Sequence, residues 1–441
     1  MYYPLRLTIL YLTVTYLLYF FGPIAWPDNN NGILLFFLAV NTVFIYVGFS
    51  LGVKLENANT KKIDWETFFK IGAISTLVMF VPITLAYTNK WPWEVFSILS
   101  NQGEIYSENI ARLQDTKTDR WLLALIKGFN GPLFYGSVTI GFLRFNLLKP
   151  KEKFLLLSVI LSQVIFSTLR GVDKEIGDLL IMFFAAQAIT KFRKYHVNQT
   201  NAENINLEEK NDLNRPKNID SRRNISFKYF SYIAIILIFL YNFTEKKMSR
   251  LGESYADFSI LDSSIHPDYS RPIISWMSPY FAFSFAMISS YMCQGYYGLS
   301  LVLNKPFNFS FGFGHSAALT SFIDGLNKNA SIYKNTYLSM MSELGWDDQY
   351  VWSSVYPWIA SDVSFYLTPF VILLLSIFYG KLWIEAIQSN SDIPGILFCF
   401  MSIFFAYIPA NNQIAQSLDS YFGFLFWVFM YFKANKRHVR Q

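Results

Sequence analysis

The sequence predicts an all-α, polytopic integral membrane protein with ten to twelve transmembrane helices and a large external loop, and three observations predict this class. Of the 441 residues, 53% are hydrophobic and only 15% are charged, whereas soluble domains carry about 25% charged residues. Apolar stretches recur at the length of about 17–25 residues that a helix needs to cross a membrane. They are continuous rather than alternating, which excludes a β-barrel and leaves helices.

The positions of the apolar stretches predict ten spans, and the charges between them predict the orientation. The spans are placed at residues 5–26, 32–53, 67–88, 121–143, 154–169, 176–190, 228–243, 363–384, 394–408 and 416–432. Lysines and arginines cluster after the second, fourth, sixth and tenth spans, all on one side. Positive charge collects on the cytoplasmic side, so both termini are predicted to be cytoplasmic. The same bias explains the net charge of +6 without a nucleic-acid partner.

The predicted spans divide the chain into three parts. Residues 1–244 hold spans one to seven, and residues 195–225 within them are polar enough to predict a disordered cytoplasmic loop. Residues 245–362 form the large external segment, and residues 363–441 form the last spans and the tail. Two apolar stretches in the external segment, Tyr280–Leu303 and Phe307–Phe322, are either surface helices or an additional pair of spans or re-entrant turns.

Arg170 and Lys174 are candidates for binding a phosphate at the outer end of the fifth span. The following helix begins near Asp173, and its free backbone N–H groups face outward. An arginine fork binds phosphate oxygens in a bidentate manner. The alternative is an arginine that reaches the lipid headgroups or pairs with Asp173 or Glu175.

His315 is the candidate for proton transfer in the external segment. It lies in a glycine-rich, mostly apolar stretch, Phe311–Ala318. Imidazole changes protonation near neutral pH, which suits it to removing a hydroxyl proton. A hydrogen-bonded structural histidine remains the alternative. Arg250 and Arg271 stand among carboxylates of the same segment, where a solvated surface is the alternative.

External aromatic residues suggest a sugar ligand, and missing motifs argue against a metal-dependent reaction. Most external tryptophans and tyrosines are predicted to anchor at the membrane interface, while Trp276, Tyr296 and Tyr297 are candidates for stacking on sugar rings. The external loops contain no Asp-x-Asp, and the chain has no HExxH motif and no Cys/His cluster. The sequence therefore predicts no metal and no cofactor, so the energy must come from an activated donor in the membrane.

The chain resembles the bacterial O-antigen polymerases of the Wzy type, whose wider relatives include the O-antigen ligases. The resemblance rests on architecture and composition over most of the chain, with many spans, a large external loop in the second half and many Phe, Tyr and Asn residues. Local patches add to it, namely Thr168–Gly171, Gln294–Leu299, Gly314–Ser316 and Pro409–Gln413.

The resemblance implies a metal-independent glycosyltransferase in the bacterial inner membrane with its large loop in the periplasm. Such enzymes transfer a growing chain from undecaprenyl pyrophosphate to the non-reducing end of a new lipid-linked oligosaccharide, and a chain-length regulator is a possible partner. By this resemblance, Arg170, Lys174, Arg250 and Arg271 hold the pyrophosphate, and His315 or Glu253 removes the acceptor proton.

Two other functions stay open at this point. An O-antigen ligase performs the same chemistry on lipid A core, and composition does not separate it from a polymerase. A flippase for the same lipid-linked units is expected to show two similar halves and charges within its spans. Neither feature is apparent in the sequence, and a membrane acyltransferase is a more distant possibility.

Overall fold

The structure, a computed structural model, is predominantly helical in the residues that it describes. These are residues 1–55, 63–98, 105, 108–109, 120–208, 234, 237–238, 240–248, 259, 265–326, 331–347, 351–389 and 391–436. The helices are α1 Tyr3–Phe21, α2 Asn31–Gly52, α3 Trp65–Thr88, α4 Arg120–Leu143, α5 Pro150–Arg170, α6 Lys174–Glu208, α7 Pro279–Val302, α8 Ala317–Leu326, α9 Tyr337–Glu343, α10 Val355–Gln388, α11 Ile393–Ala406 and α12 Leu418–Lys436. A short helix, Val95–Ile98, follows α3, and residues 240–248 are also helical.

Helices of membrane-spanning length and composition are present, as the sequence predicts. Five described helices are long and apolar enough to cross a membrane, namely α1, α2, α3, α5 and α10. The described residues contain no β-strand, only an isolated bridge between Ile24 and Pro267. The chain is therefore an all-helical protein that fits a multi-pass membrane protein.

Local sequence explains where several helices begin and end. The Asp64 side chain accepts a hydrogen bond from the Thr67 N–H at the start of α3, which satisfies a backbone donor that the helix leaves free. Helix α5 begins at Pro150 and ends before Gly171, whose φ of 69° is in the left-handed region that favours glycine. This sharp end turns the chain directly into α6.

Glycines let the central helices approach closely. A Cβ atom on Gly52 would lie 2.0 Å from the Ile377 carbonyl oxygen, and one on Gly131 would lie 2.0 Å from the Asp419 carbonyl oxygen. The first contact joins α2 to α10, and the second joins α4 to the first turn of α12. Because glycine has no side chain, the backbones pack directly at both positions, and the start of α12 is fixed against α4.

Ion pairs mark the end of the helix bundle where α4 ends and α11 begins. Arg144 Nε lies 2.9 Å from Asp392 Oδ2, and Arg193 Nη1 lies 3.9 Å from Asp392 Oδ1. Lys70 and Glu152 pair at 3.2 Å at the starts of α3 and α5. These pairs tie together the helix ends that the charge bias assigns to the cytoplasm, so the polar site described below lies at the other end.

The structure refines three sequence predictions. Tyr280–Leu303 is a helix, α7, whereas Phe307–Phe322 divides into an extended stretch and the short helix α8. Helix α6 continues to Glu208, so the first part of the predicted disordered loop 195–225 is helical. Most of the predicted seventh span, residues 228–243, lies outside the described residues.

Candidate active site

A tight turn brings His315 to the polar end of the bundle. Phe311 and Gly312 have φ values of 59° and 81°, which reverse the chain just before the histidine. A Cβ atom on Gly314 would lie 2.1 Å from Ser310 Oγ and 2.7 Å from Ser361 Cβ. Only glycine fits there without displacing its neighbours, so this residue allows the loop to close onto α10.

Asp362, in α10, holds this loop by hydrogen bonds. Its Oδ1 accepts hydrogen bonds from Ser310 Oγ (2.5 Å) and the Gly314 N–H (2.9 Å). Its Oδ2 accepts from the backbone N–H of His315 (2.9 Å) and faces the His315 ring nitrogen Nδ1 at 2.8 Å. Four partners on one carboxylate fix both the loop and the imidazole ring.

These bonds define the roles of the two imidazole nitrogens. An ionised carboxylate only accepts hydrogen bonds, so Nδ1 carries a proton and donates a hydrogen bond to Asp362. In the neutral ring Nε2 is then an acceptor, and it lies 2.7 Å from the Tyr421 hydroxyl. Since the His315 side chain is 31% exposed, a basic nitrogen faces a hydroxyl group at an accessible position. A substrate hydroxyl that takes the place of the Tyr421 hydroxyl would have Nε2 as its general base.

Strained backbone occurs at the start of α10 and again just after Asp362. Ser354 has φ 59° and ψ 170°, and Ser364 has φ 68° and ψ 163°, a region that residues other than glycine rarely adopt. The break at Ser364 divides α10 two residues after Asp362. Such strain costs about 1–3 kcal/mol per residue and is concentrated at functional sites, which supports a functional role for this turn.

Residues 411–421, which comprise part of the connection between α11 and α12 and the first turn of α12, hold the histidine loop from the other side. Asn412 Nδ2 donates to the His315 carbonyl oxygen (2.7 Å), and Ser316 Oγ donates to the Ala415 carbonyl oxygen (2.8 Å). Together with Tyr421, these contacts clamp the loop that carries the histidine.

The same connection also contacts the start of α6. Gln413 Nε2 donates to Asp178 Oδ1 (3.1 Å), and Lys174 Nζ donates to Ser417 Oγ (2.7 Å). His315 and the cations near α6 are therefore parts of one site, joined through residues 411–421.

Charged pairs surround the start of α6. Arg170 pairs with Glu175, and Lys246 Nζ lies 2.5 Å from Asp173 Oδ1. Lys174 stands between these pairs in sequence and forms no ion pair in the described part of the chain. Asp178 and Asp419 are still close enough to interact with its charge, so an anionic ligand would share this ammonium group with them.

Lys127 and Arg170 share two aromatic rings. The Lys127 ammonium lies 5.3 Å from the Tyr87 ring centroid and 5.2 Å from that of Phe166. The Arg170 guanidinium lies 5.7 Å and 5.2 Å from the same rings. Cation–π contacts of this kind hold the two cations close together, and Lys127 also pairs with Asp419 at 3.2 Å.

A polar cavity opens beside these pairs. Lys174, Glu175, Asp178 and Asp419 line it together with apolar side chains. Asp419 Oδ1 and Glu175 Oε2 are buried and accept no hydrogen bond from the described residues. A buried oxygen without a donor is costly, so the cavity favours water or another hydroxyl donor.

The structure brings His315, Arg170 and Lys174 into this site but places Arg271 elsewhere. The Arg271 guanidinium donates to the Gly22 carbonyl oxygen and lies 3.5 Å from Asp268 Oδ2. Hydrogen bonds from Ser270 hold the pKa of Asp268 below its usual range. Arg271 thus ties the start of the external segment to the end of α1.

The predicted sugar-stacking residues do not form one surface. Tyr296 is fully buried, with its hydroxyl 2.9 Å from Thr15 Oγ1, and Tyr297 packs against Trp26 at a ring-centroid distance of 5.7 Å. These contacts place both tyrosines in the packing of α7 against α1 and the loop that follows it. Trp276 is 77% exposed and remains available for stacking. Arg250 and Glu253 lie outside the described residues.

Several residues of the site escaped the sequence analysis, namely Lys127, Asp362, Asn412, Asp419 and Tyr421. Two signals were present in the sequence. Asp362 and Asp419 are carboxylates at the edge of apolar stretches, where an unpaired charge is expensive. Asn412 belongs to the patch Pro409–Gln413, which the sequence analysis noted only for its resemblance. Their partners, however, are distant in sequence.

Comparison with protein families, with curated proteins and with solved structures found no match to this chain. Within the described residues, no group of three or more His, Cys, Asp or Glu side chains is arranged to hold a metal ion.

Proposed function

We propose that the protein is a glycosyltransferase that polymerises lipid-linked oligosaccharide repeat units into O-antigen or capsular polysaccharide. It transfers the growing chain from undecaprenyl pyrophosphate to the non-reducing end of a new lipid-linked unit. The reaction takes place at the periplasmic face of the bacterial inner membrane. The topology that belongs to this proposal has ten to twelve spans, both termini in the cytoplasm and residues 245–362 on the periplasmic face.

The observation that carries the proposal is the contact of His315 with Asp362 and Tyr421. Nδ1 is held by a carboxylate at 2.8 Å, which leaves Nε2 as an acceptor beside a hydroxyl at 2.7 Å. This arrangement accepts a proton from a hydroxyl group, and the carboxylate stabilises the imidazolium that forms. A sugar hydroxyl that attacks an activated donor needs such a base.

The cationic cluster fits the other half of the reaction. The acceptor oxygen bonds to the anomeric carbon while the bond from that carbon to the pyrophosphate oxygen breaks. The acceptor hydroxyl takes the place of the Tyr421 hydroxyl, its proton passes to His315 Nε2, and the leaving pyrophosphate gains negative charge. Lys174, which has no ion pair among the described residues, and the nearby Arg170 stabilise that charge in the transition state.

The test is the surface-polysaccharide ladder of cells that lack this protein, complemented with variants. We expect the deletion to leave a single repeat unit on lipid A core, and wild-type protein to restore the long bands. His315→Ala should fail to restore them, since loss of a general base lowers turnover by about 10²-fold or more. His266→Ala is the matched control, because His266 is an exposed histidine of the same external segment.

Other outcomes identify other functions. Loss of every unit from lipid A core, with polymer accumulating on its lipid carrier, would identify a ligase. Single carrier-linked units retained inside the cell would identify a flippase. An unchanged ladder in the deletion strain, or full activity of His315→Ala at normal protein level, would contradict the proposal.

A further inference from the structure

The stretch that leads into the histidine loop has two unlike faces. Ser310 points inward, is fully buried and donates to Asp362. Phe307, Phe309 and Phe311 alternate with it in sequence and are 40%, 53% and 63% exposed. Ser310 therefore turns toward the site, whereas the three phenyl rings, with the exposed Asn308 between the first two, lie on the surface of the protein.

The three rings form a continuous apolar strip. Their centroids follow one another at 6.4 Å and 5.4 Å. An exposed row of large apolar side chains marks a surface that contacts something other than water.

The strip is joined through Ser310 to a helix of membrane-spanning length. Ser310 binds Asp362 in the first half of α10, and directly after the break in α10 Tyr366, Leu367 and Phe370 are also exposed. Helix α10 is among the helices long and apolar enough to cross a membrane. The exposed apolar side chains of a membrane-spanning helix face lipid, and the first of these, Tyr366, lies four residues after Asp362, the residue that Ser310 contacts.

We propose that Phe307, Phe309 and Phe311 insert into the outer leaflet of the membrane and anchor the histidine loop at the level of the lipid headgroups. Phenyl rings carry no hydrogen-bonding group, and their burial in lipid removes apolar area from water. The anchor would fix His315 at one height, so that a reacting bond held close to its lipid by a phosphate linkage comes level with the base. The anchor itself is independent of the reaction proposed above.

Spin labels on introduced cysteines test this anchor in the full-length protein reconstituted into phospholipid vesicles. The native Cys293 and Cys399 are fully buried, so the unsubstituted protein gives the background. Labels are placed at Phe307→Cys, Phe309→Cys and Phe311→Cys. Accessibility is measured to oxygen, which concentrates in lipid, and to a water-soluble nickel chelate.

Two reference positions calibrate the measurement. Leu374→Cys lies on the exposed face of α10, and Ser270→Cys lies on an exposed external turn. We expect the ratio of oxygen to nickel accessibility at the strip to exceed the ratio at residue 270 several-fold and to approach the ratio at residue 374. A strip ratio equal to that of residue 270 would show that water covers it, and low accessibility to both reagents would show a protein contact. Either result would overturn the anchor without bearing on the ladder test.

Discussion

Replacement of Asp362 by asparagine tests the assignment of His315 as a base. Asparagine keeps the shape of the side chain but turns one acceptor into a donor. An amide oxygen at the Oδ2 position preserves both bonds to His315 and leaves the Gly314 N–H without its acceptor, while the Ser310 hydroxyl can rotate to accept. We expect the variant to fold, at a cost of about 1.5–3 kcal/mol for the lost bond to a charged group.

The effect on the reaction should exceed that cost. When His315 takes a proton, the imidazolium of the native protein faces a carboxylate, with Nδ1 and Oδ2 2.8 Å apart. For charge centres about 4 Å apart and an effective dielectric constant of about 20, this attraction is about 4 kcal/mol. The amide removes most of it. At 1.36 kcal/mol for each factor of ten, we expect the transfer rate to fall by about 10²–10³-fold.

The assay is the initial rate of polymer formation in isolated membranes supplied with carrier-linked repeat units, together with the thermal stability of the purified protein. Asp324→Asn is the matched control. The Asp324 carboxylate also accepts from a serine hydroxyl and two backbone N–H groups, at 2.7, 2.6 and 3.1 Å, but none of these partners is an imidazole. It should lose similar stability and keep its rate. If Asp362→Asn retained a rate close to that of Asp324→Asn, the role given to His315 would be wrong.

Three further predictions concern the surrounding site. Lys174→Ala should lower the polymerisation rate about 10–100-fold by removing a charge-assisted contact worth about 1.5–3 kcal/mol. Lys174→Arg keeps the charge and should retain part of the rate. Equal rates for both variants and wild type would refute a role of Lys174 in anion binding. Gly314→Ala forces a Cβ atom to 2.1 Å from its nearest neighbour, whereas Gly325→Ala meets nothing within 4 Å, so thermal unfolding should show a loss of about 1–3 kcal/mol only for the former. Lys127→Met should destabilise the protein by about 3–5 kcal/mol by leaving Asp419 buried and unpaired, and an added Asp419→Asn should recover much of that loss in the same unfolding measurement.

The helices could be predicted from the sequence because membrane-length apolar stretches are a local property. Predicted spans 5–26, 32–53, 67–88 and 154–169 each overlap a described helix that is long and apolar enough to cross a membrane. The division of Phe307–Phe322 was not predictable in this way. Its hydrophobicity is that of a helix, but Gly312 and Gly314 serve a turn whose partner, Asp362, lies far along the chain.

The site could be predicted only in its separate parts. His315 and Arg170 are unusual in their local surroundings, which made them candidates. Their relation depends on hydrogen bonds that join His315 to residues far away in the sequence, at separations of 47, 97 and 106 positions. A single sequence contains no record of such pairings. Aromatic residues illustrate the same limit, because composition indicated Tyr296 for sugar stacking while the packing of α7 against α1 buries it.

The first turn of α12 explains why one site can both deprotonate an acceptor and hold an anionic leaving group. Tyr421 and Asp419 lie in the first turn of α12, where one contacts His315 and the other pairs with Lys127. Gly131 lets the backbone of that turn rest directly on α4. A shift of this turn would therefore move Tyr421, which contacts His315, and Asp419, which pairs with Lys127, together. Direct backbone packing fixes their separation, and a transfer reaction requires such a fixed separation between the attacking and leaving groups.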